Sequence, residues 1–247
     1  MPTEPEPDDR PDLPPGLAPA WGAAPLRPRR GPKPSHSLDR IVTAAVELAD
    51  ADGLAAASLP NIAASVGLST NALYRYVGSK EELLVLLGDA GFGPPSPLTP
   101  DADWRGAARE WVYAALDRYR GRPWLLDLGS RGSAVTPNRL RWIEQLLAVL
   151  AEAGMSDVDA FGSALLLGDF ARATADRLRA RADPDSADSP ARARDVRAFL
   201  RPLLAEGGYP QLAELAARGE YPGGGSVDFG LDRVLDGIAG LLTASPA

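Results

Sequence analysis

The stretch from Ser58 to Glu82 constrains the fold more than any other part of the chain. It reads as two short helices joined by a glycine turn, followed by the start of a third. Ser58 is placed to accept from the free N–H groups of a first helical turn. Pro60 falls in that turn, where its missing N–H costs little. Ile62, Ala63 and Val66 give one apolar stripe at spacings of three and four, and Gly67 suits a sharp reversal. Ser69 can cap the second helix, with Ala72, Leu73 and Val77 inward and Thr70, Asn71, Tyr74, Arg75 and Tyr76 largely outward. Ser79-Lys80-Glu81-Glu82 is a capping box that opens a long helix through Leu83, Leu84, Leu86 and Leu87.

Such a pair needs a third helix to bury its apolar side, and one is predicted just upstream. Leu38, Ile41, Ala45, Leu48 and Ala49 form a stripe that stops near Gly53. The three together fit a helix-turn-helix, in which the second short helix lies in the DNA major groove. Helix pairs with a glycine turn also occur in all-α proteins that never touch nucleic acid. The basic run Arg27-Pro28-Arg29-Arg30-Gly31-Pro32-Lys33 favours the DNA reading, because a flexible cationic arm can follow phosphates or enter a minor groove. A solubilising tail would look the same.

Net charge is −7 over 247 residues, which is awkward for a DNA binder until the chain is divided. Residues 1–26 carry −4, residues 27–80 carry +3 and the rest carry −6. The cations gather on the helix-turn-helix part, as electrostatic docking requires.

With these residues in hand, the sequence resembles the tetracycline-repressor (TetR) family of bacterial regulators. Ala72 to Leu84 carries the resemblance most strongly, with the helix from Leu38 to Gly53 beside it. The remainder resembles the family's ligand-binding region at Trp104, at Arg118-Tyr119-Arg120, at Leu128-Gly129-Ser130-Arg131 and around Phe161 to Arg172. The resemblance implies a ligand-responsive dimeric repressor that binds a palindromic operator. Thr70, Asn71 and Arg75 would contact base edges, Arg75 favouring guanine. Tyr74, Tyr76 and Lys80 would hold phosphates, and Ser58, Arg29, Arg30 and Lys33 complete the expected DNA-binding set. Pro60 departs from relatives that place a polar or basic residue there, so little base reading is expected from the first short helix.

The expected fold is all-α, in three parts. Residues 1–34 form a proline- and charge-rich disordered tail containing Trp21. Residues 35–90 form the helix-turn-helix domain. Residues 91–247 form a larger helical effector-binding and dimerisation domain. Within it, helices are predicted near 103–120, 137–154, 157–182, 191–205, 210–218 and 228–243, the second opened by Thr136-Pro137 and the third capped by Ser156.

Two of these helices present candidate dimer faces, through Phe161, Leu165 and Gly168 and through Leu231, Val234, Leu235, Ile238 and Leu241. Packing within one chain would give the same pattern. The resemblance implies that the two form a four-helix bundle with a second subunit. It also implies an aromatic effector pocket, for which Trp111, Ala115, Asp127, Trp142 and Phe161 are the candidates; each tryptophan would serve equally well in an ordinary core.

Zero cysteines exclude disulfides and thiolate metal sites. The single histidine, His36, lies in the arm, and no phosphate-binding or nucleophile motif is present, so neither an enzyme nor a cofactor is expected. No twenty-residue apolar span and no signal-peptide order occur, which suits a cytoplasmic protein without a membrane partner. An activator of the same family, or an all-α small-molecule enzyme, remain the alternative readings.

Overall fold

The computed structural model describes residues 13–22, 37–100, 103–131, 135–186, 189–220 and 226–244. Among them all regular structure is helical. The chain forms two compact units: residues 1–94 with 127–142, and residues 95–126 with 143–247.

In the first unit, α1 spans Leu17–Ala20, α2 Leu38–Asp52, α3 Leu59–Ser65, α4 Thr70–Leu73 and α5 Lys80–Phe92. Helix α2 starts at Ser37, whose hydroxyl accepts from the Arg40 N–H at 3.2 Å, and stops at Gly53 with φ 79°. It packs on α3 and α5 and buries Ile41, Val42, Ala45 and Ala49. Helix α5 is buried nearly all round: Leu83, Leu84, Val85, Leu86 and Leu87 are all inside. A helix with no exposed face needs cover on every side.

Part of that cover comes from a segment expected to be disordered. Residues 13–22 include α1, which packs on α5. Gly16, at φ 82°, comes so close that an added Cβ would lie 2.8 Å from Val85 Cβ and 2.9 Å from the Glu82 carbonyl oxygen. The Trp21 indole N–H donates to the Val135 carbonyl at 2.9 Å. Val85 and its neighbours would otherwise face water, so even four helical residues are held there. The rest of the expected tail, including the basic arm with Arg29, Arg30 and Lys33, lies outside the described residues.

Helix α7, Pro137–Glu152, begins where expected. The Thr136 carbonyl accepts from Leu140 N–H at 2.9 Å. The next first-turn donor is met from elsewhere: Asp89 of α5 accepts from the Asn138 backbone N–H at 2.9 Å and from its side-chain amide at 3.0 Å.

The second unit is built on α6, Trp104–Gly121, and α8, Asp157–Ala182, which pack together along their length. Asp103 caps α6 through Gly106 N–H at 2.6 Å, and Ser156 caps α8 through Asp159 N–H at 3.2 Å. Helix α11, Val227–Ala244, lies on α8, while α9, Pro190–Glu206, and α10, Pro210–Ala217, pack on each other. A 3-10 segment, Pro123–Arg131, follows α6 and breaks at Gly129, φ 61°. Among the described residues no helix is long and apolar enough to cross a membrane.

Gly16→Ala should detach α1 from α5, since the site combines positive φ with no room for a side chain. The expected cost is about 1–3 kcal/mol, read as a lower melting temperature together with faster tryptic removal of the N-terminal segment.

Candidate nucleic-acid interface

Helix α3 begins at Ser58, whose hydroxyl accepts from Asn61 N–H at 3.4 Å, with Pro60 in the first turn. The Asn61 side chain turns back to donate to the Ala56 carbonyl at 3.0 Å. The helix ends in a paired reversal. Leu68 N–H bonds the Ala63 carbonyl at 2.8 Å and Gly67 N–H bonds the Ala64 carbonyl at 3.1 Å, with Gly67 at φ 74°. Both hydrogen bonds need that left-handed residue, which an L side chain would strain.

Ser69 then caps α4, accepting from Ala72 N–H at 3.2 Å. The second helix is shorter than the sequence suggested, a single turn ending at Leu73. Tyr74, Arg75 and Tyr76 follow in a tightened turn. Arg75 N–H bonds Ala72 at 3.1 Å, and the Leu73 carbonyl receives both Tyr76 at 2.8 Å and Val77 at 3.2 Å. Bonds to the third residue back are how helix ends commonly close, and aromatic side chains add little helix propensity to oppose this.

Leu73 and Val77 are fully buried, and they fix which way the turn faces. Asn71, Tyr74 and Arg75 are exposed, while Thr70 and Tyr76 are half-buried. Lys80 is exposed at the start of α5, whose cap is Ser79 accepting from Glu82 N–H at 3.0 Å. Thr70, Asn71, Tyr74, Arg75 and Tyr76 thus lie between the Ser69 and Ser79 caps with Lys80 just past the second, whereas Ser58 is at the start of α3 and Arg29, Arg30 and Lys33 lie outside the described residues.

The expected dimer residues divide. Phe161, Leu165 and Leu241 are 47%, 41% and 38% exposed. Leu231, Leu235 and Ile238 are instead buried within the chain, and Gly168 faces its own Trp111, whose ring edge is 3.8 Å from an added Cβ. These four make contacts within their own chain, Ile238 also lining the groove between α8 and α11. Val158 and Leu166, 82% and 50% exposed, join the open face instead. They sit four residues either side of Gly162, a spacing that could have found them. With Gly237 and Val234 they line a groove of about 420 Å³ between α8 and α11.

The five expected pocket residues fall in both units. Trp111 and Ala115 are buried on α6 in the second unit. Trp142 belongs to the first unit, where its indole donates to the Gly93 carbonyl at 2.9 Å and meets Phe92 edge-on. Asp127, also of the first unit, is exposed, and Phe161 faces outward. Tryptophan content alone cannot tell a cavity wall from a core.

One arrangement escaped the sequence reading. Asp228, Asp232 and Asp236 fall every fourth residue on α11, opposite Arg105, Arg109 and Tyr113 on α6, which have the same spacing in reverse order. Arg105 bonds Asp236 at 2.6 Å, Arg109 bonds Asp228 at 3.0 Å and also pairs with Asp232, and the Tyr113 hydroxyl donates to Asp228 at 2.8 Å. The hydrogen bond to Asp228 and partial burial push the Tyr113 phenol up. The Arg105 hydrogen bond, with help from Arg233, holds the Asp236 carboxyl below the usual aspartate range.

Comparison with known proteins agrees with this architecture. Residues 41–87 match the family described as bacterial regulatory proteins, tetR family, and residues 96–242 match the tetracyclin repressor-like C-terminal domain. The chain is 34% identical to the HTH-type transcriptional repressor DrrR1 of Streptomyces coeruleorubidus, over 86% of this chain and 80% of that one. The crystal structure of ActR of Streptomyces coelicolor with (S)-DNPA aligns at a TM-score of 0.68 and 25% identity, covering 86% of this chain and all of that one. ActR with actinorhodin has the same fold, at a TM-score of 0.71 and 24% identity over 84% and 98% of the two chains.

The depressed Asp236 gives a pH dependence of definite sign. A carboxyl whose folded value is lowered stabilises fully above its unfolded value, and that contribution is lost as pH falls through the folded one. Asp236→Asn should therefore flatten the acid limb of the stability curve below the ordinary aspartate range, as read by circular dichroism across an acid titration.

Proposed function

The chain belongs to the tetracycline-repressor family of bacterial transcriptional regulators, and we propose that it acts as a homodimeric repressor released from its operator by a small molecule. The observation that carries the reading is the surface from Asn71 to Lys80. A one-turn helix and a tightened turn, anchored by buried Leu73 and Val77, leave Asn71, Tyr74 and Arg75 exposed, with Lys80 exposed at the start of α5. Arg75 suits the O6 and N7 acceptors of guanine, and Thr70 and Asn71 suit neighbouring base edges. Tyr74, Tyr76 and Lys80 suit phosphates and set the register. The Ser58 hydroxyl is engaged in its cap and Asn61 is tied back to Ala56, which supports a mainly structural part for α3.

One such surface touches few base pairs. Two subunits carrying recognition helices about 34–36 Å apart would meet successive major grooves on one DNA face. The open face of α8 and α11, with Val158, Phe161, Leu165, Leu166 and Leu241, supports pairing with a second copy: large apolar side chains clustered at a surface are commonly interaction sites. That DrrR1 is a repressor, and that ActR is found with a small molecule, favour repression relieved by a ligand. Such a ligand would act by preferring a conformer with the wrong helix separation, and it relieves repression only as far as that preference allows.

A gel-shift titration with DNA from the gene's own promoter region tests the whole. Arg75→Ala should cost about 1–3 kcal/mol and relax preference at one operator position, whereas Lys80→Ala should weaken binding to every sequence and reduce the salt slope by about one. Absence of sequence-specific binding at low salt would refute the regulator role.

Leu166→Asp should convert the protein to monomers in analytical ultracentrifugation and abolish high-affinity operator binding. The α8 capping and core residues lie elsewhere, so its helix content should be unchanged. A dimer that persists in Leu166→Asp would move the interface off α8.

A further inference from the structure

The second unit contains an apolar hollow between the last turns of α6 and α8 and the 3-10 segment that begins at Pro123. It encloses about 340 Å³, within the size range of small-molecule sites. Leu116, Tyr119, Leu126 and Ala175 make its floor, each less than a tenth exposed. Leu178 also lines it, yet is 39% exposed, an apolar side chain left half open to water.

Arg120 and Arg179 lie on the same lining. The Arg179 guanidinium donates to the Pro123 carbonyl at 3.2 Å and pairs with Asp176 at 3.1 Å, so its charge is held at the edge of the hollow. Arg120 is paired with Asp117 at 2.5 Å. Those acids do not balance the neighbourhood. Residues 116–127 and 174–183 together hold six arginines and four aspartates, a local +2 in a chain whose net charge is −7. A cation would be repelled there, and a bare inorganic anion would leave the floor uncovered.

We propose that this hollow binds an amphipathic organic anion, with a ring body on the leucine and tyrosine floor and a carboxylate, sulfonate or phenolate toward Arg120 and Arg179, and that this is the effector site. The effector role rests on the reading of this chain as a ligand-released regulator; the binding chemistry does not. None of Trp111, Ala115, Asp127, Trp142 and Phe161 lines it.

Fluorescence titration of the full-length protein tests the site with two dyes of similar shape. One is anionic 8-anilinonaphthalene-1-sulfonate, the other uncharged N-phenyl-1-naphthylamine. The sulfonate should bind one site per chain, and the double variant Arg120→Gln/Arg179→Gln should weaken it about tenfold while leaving the neutral dye unchanged. Ala182→Trp, at an exposed position on the rim, should fill the hollow and weaken the sulfonate by at least about tenfold. Leu178→Asp should do the same by repulsion and covers the case in which the tryptophan variant does not fold. Unchanged sulfonate affinity in the charge variant, or in a folded hollow variant, overturns the proposal. Gel shifts without dye read the DNA-binding role separately, so failure there with intact dye binding counts against the regulator and not against the site.

Discussion

Burial of the Leu73 side chain, with Val77 beside it, is the interaction on which the DNA-binding unit depends. Helix α4 has four residues, far below the length at which a helix sustains itself in water. Its geometry is therefore imposed from outside. The two serine caps define where it starts and where α5 takes over, and the reversal at Gly67 sets its direction. Fully burying a leucine is worth roughly 1.5–3 kcal/mol, a substantial offset to the roughly 1–2 kcal/mol per residue that ordering the turn costs. Asn71, Tyr74 and Arg75 owe their exposure to that anchoring, since they occupy the opposite side of the same turn.

The same economy operates at the other end of the first unit. Helix α5 is apolar around its circumference and takes cover from α2 on one side and from α1 on another. Asp89 near its end meets first-turn donors of α7. The recognition surface and the start of α7 are thus attached to one helix, a physical connection by which a change at one can bias the other. In the second unit the carboxylates of α11 and the guanidiniums of α6 run antiparallel in step. They run beside the buried apolar row of α11, Leu231, Leu235 and Ile238, whose burial is the larger stabilising contribution.

Much of this was legible along the chain because the signals are local. Ser58, Ser69, Ser79 and Ser156 act as caps by bonding an amide three residues on, which needs no knowledge of distant partners. Gly67 and Gly53 mark ends for the same reason. What the local signals leave open depends on partners far apart in sequence. The periodicity of α11 showed that one face is apolar, but whether that face meets its own chain or another is decided by what lies opposite. Trp142, an expected pocket residue, donates its indole N–H to the Gly93 carbonyl, a partner that no local pattern announces. Residues 13–22 look disordered by composition because the apolar surface they cover belongs to α5.

The sequence by itself determined that the chain is helical, where most helices begin and end, and that a helix-turn-helix with a cationic face lies near its start. These follow from short-range hydrogen bonds, conformational preference and charge, all of which act over a few residues. Only the tertiary structure decided that α4 shrinks to one turn, which of the apolar residues stay open on α8, and that the aromatic candidates divide between two units. It also placed a basic rim around an apolar hollow at the ends of α6 and α8. Burial is the reason for the difference: it is a property of what surrounds a residue, and neighbours in space are chosen by the whole chain.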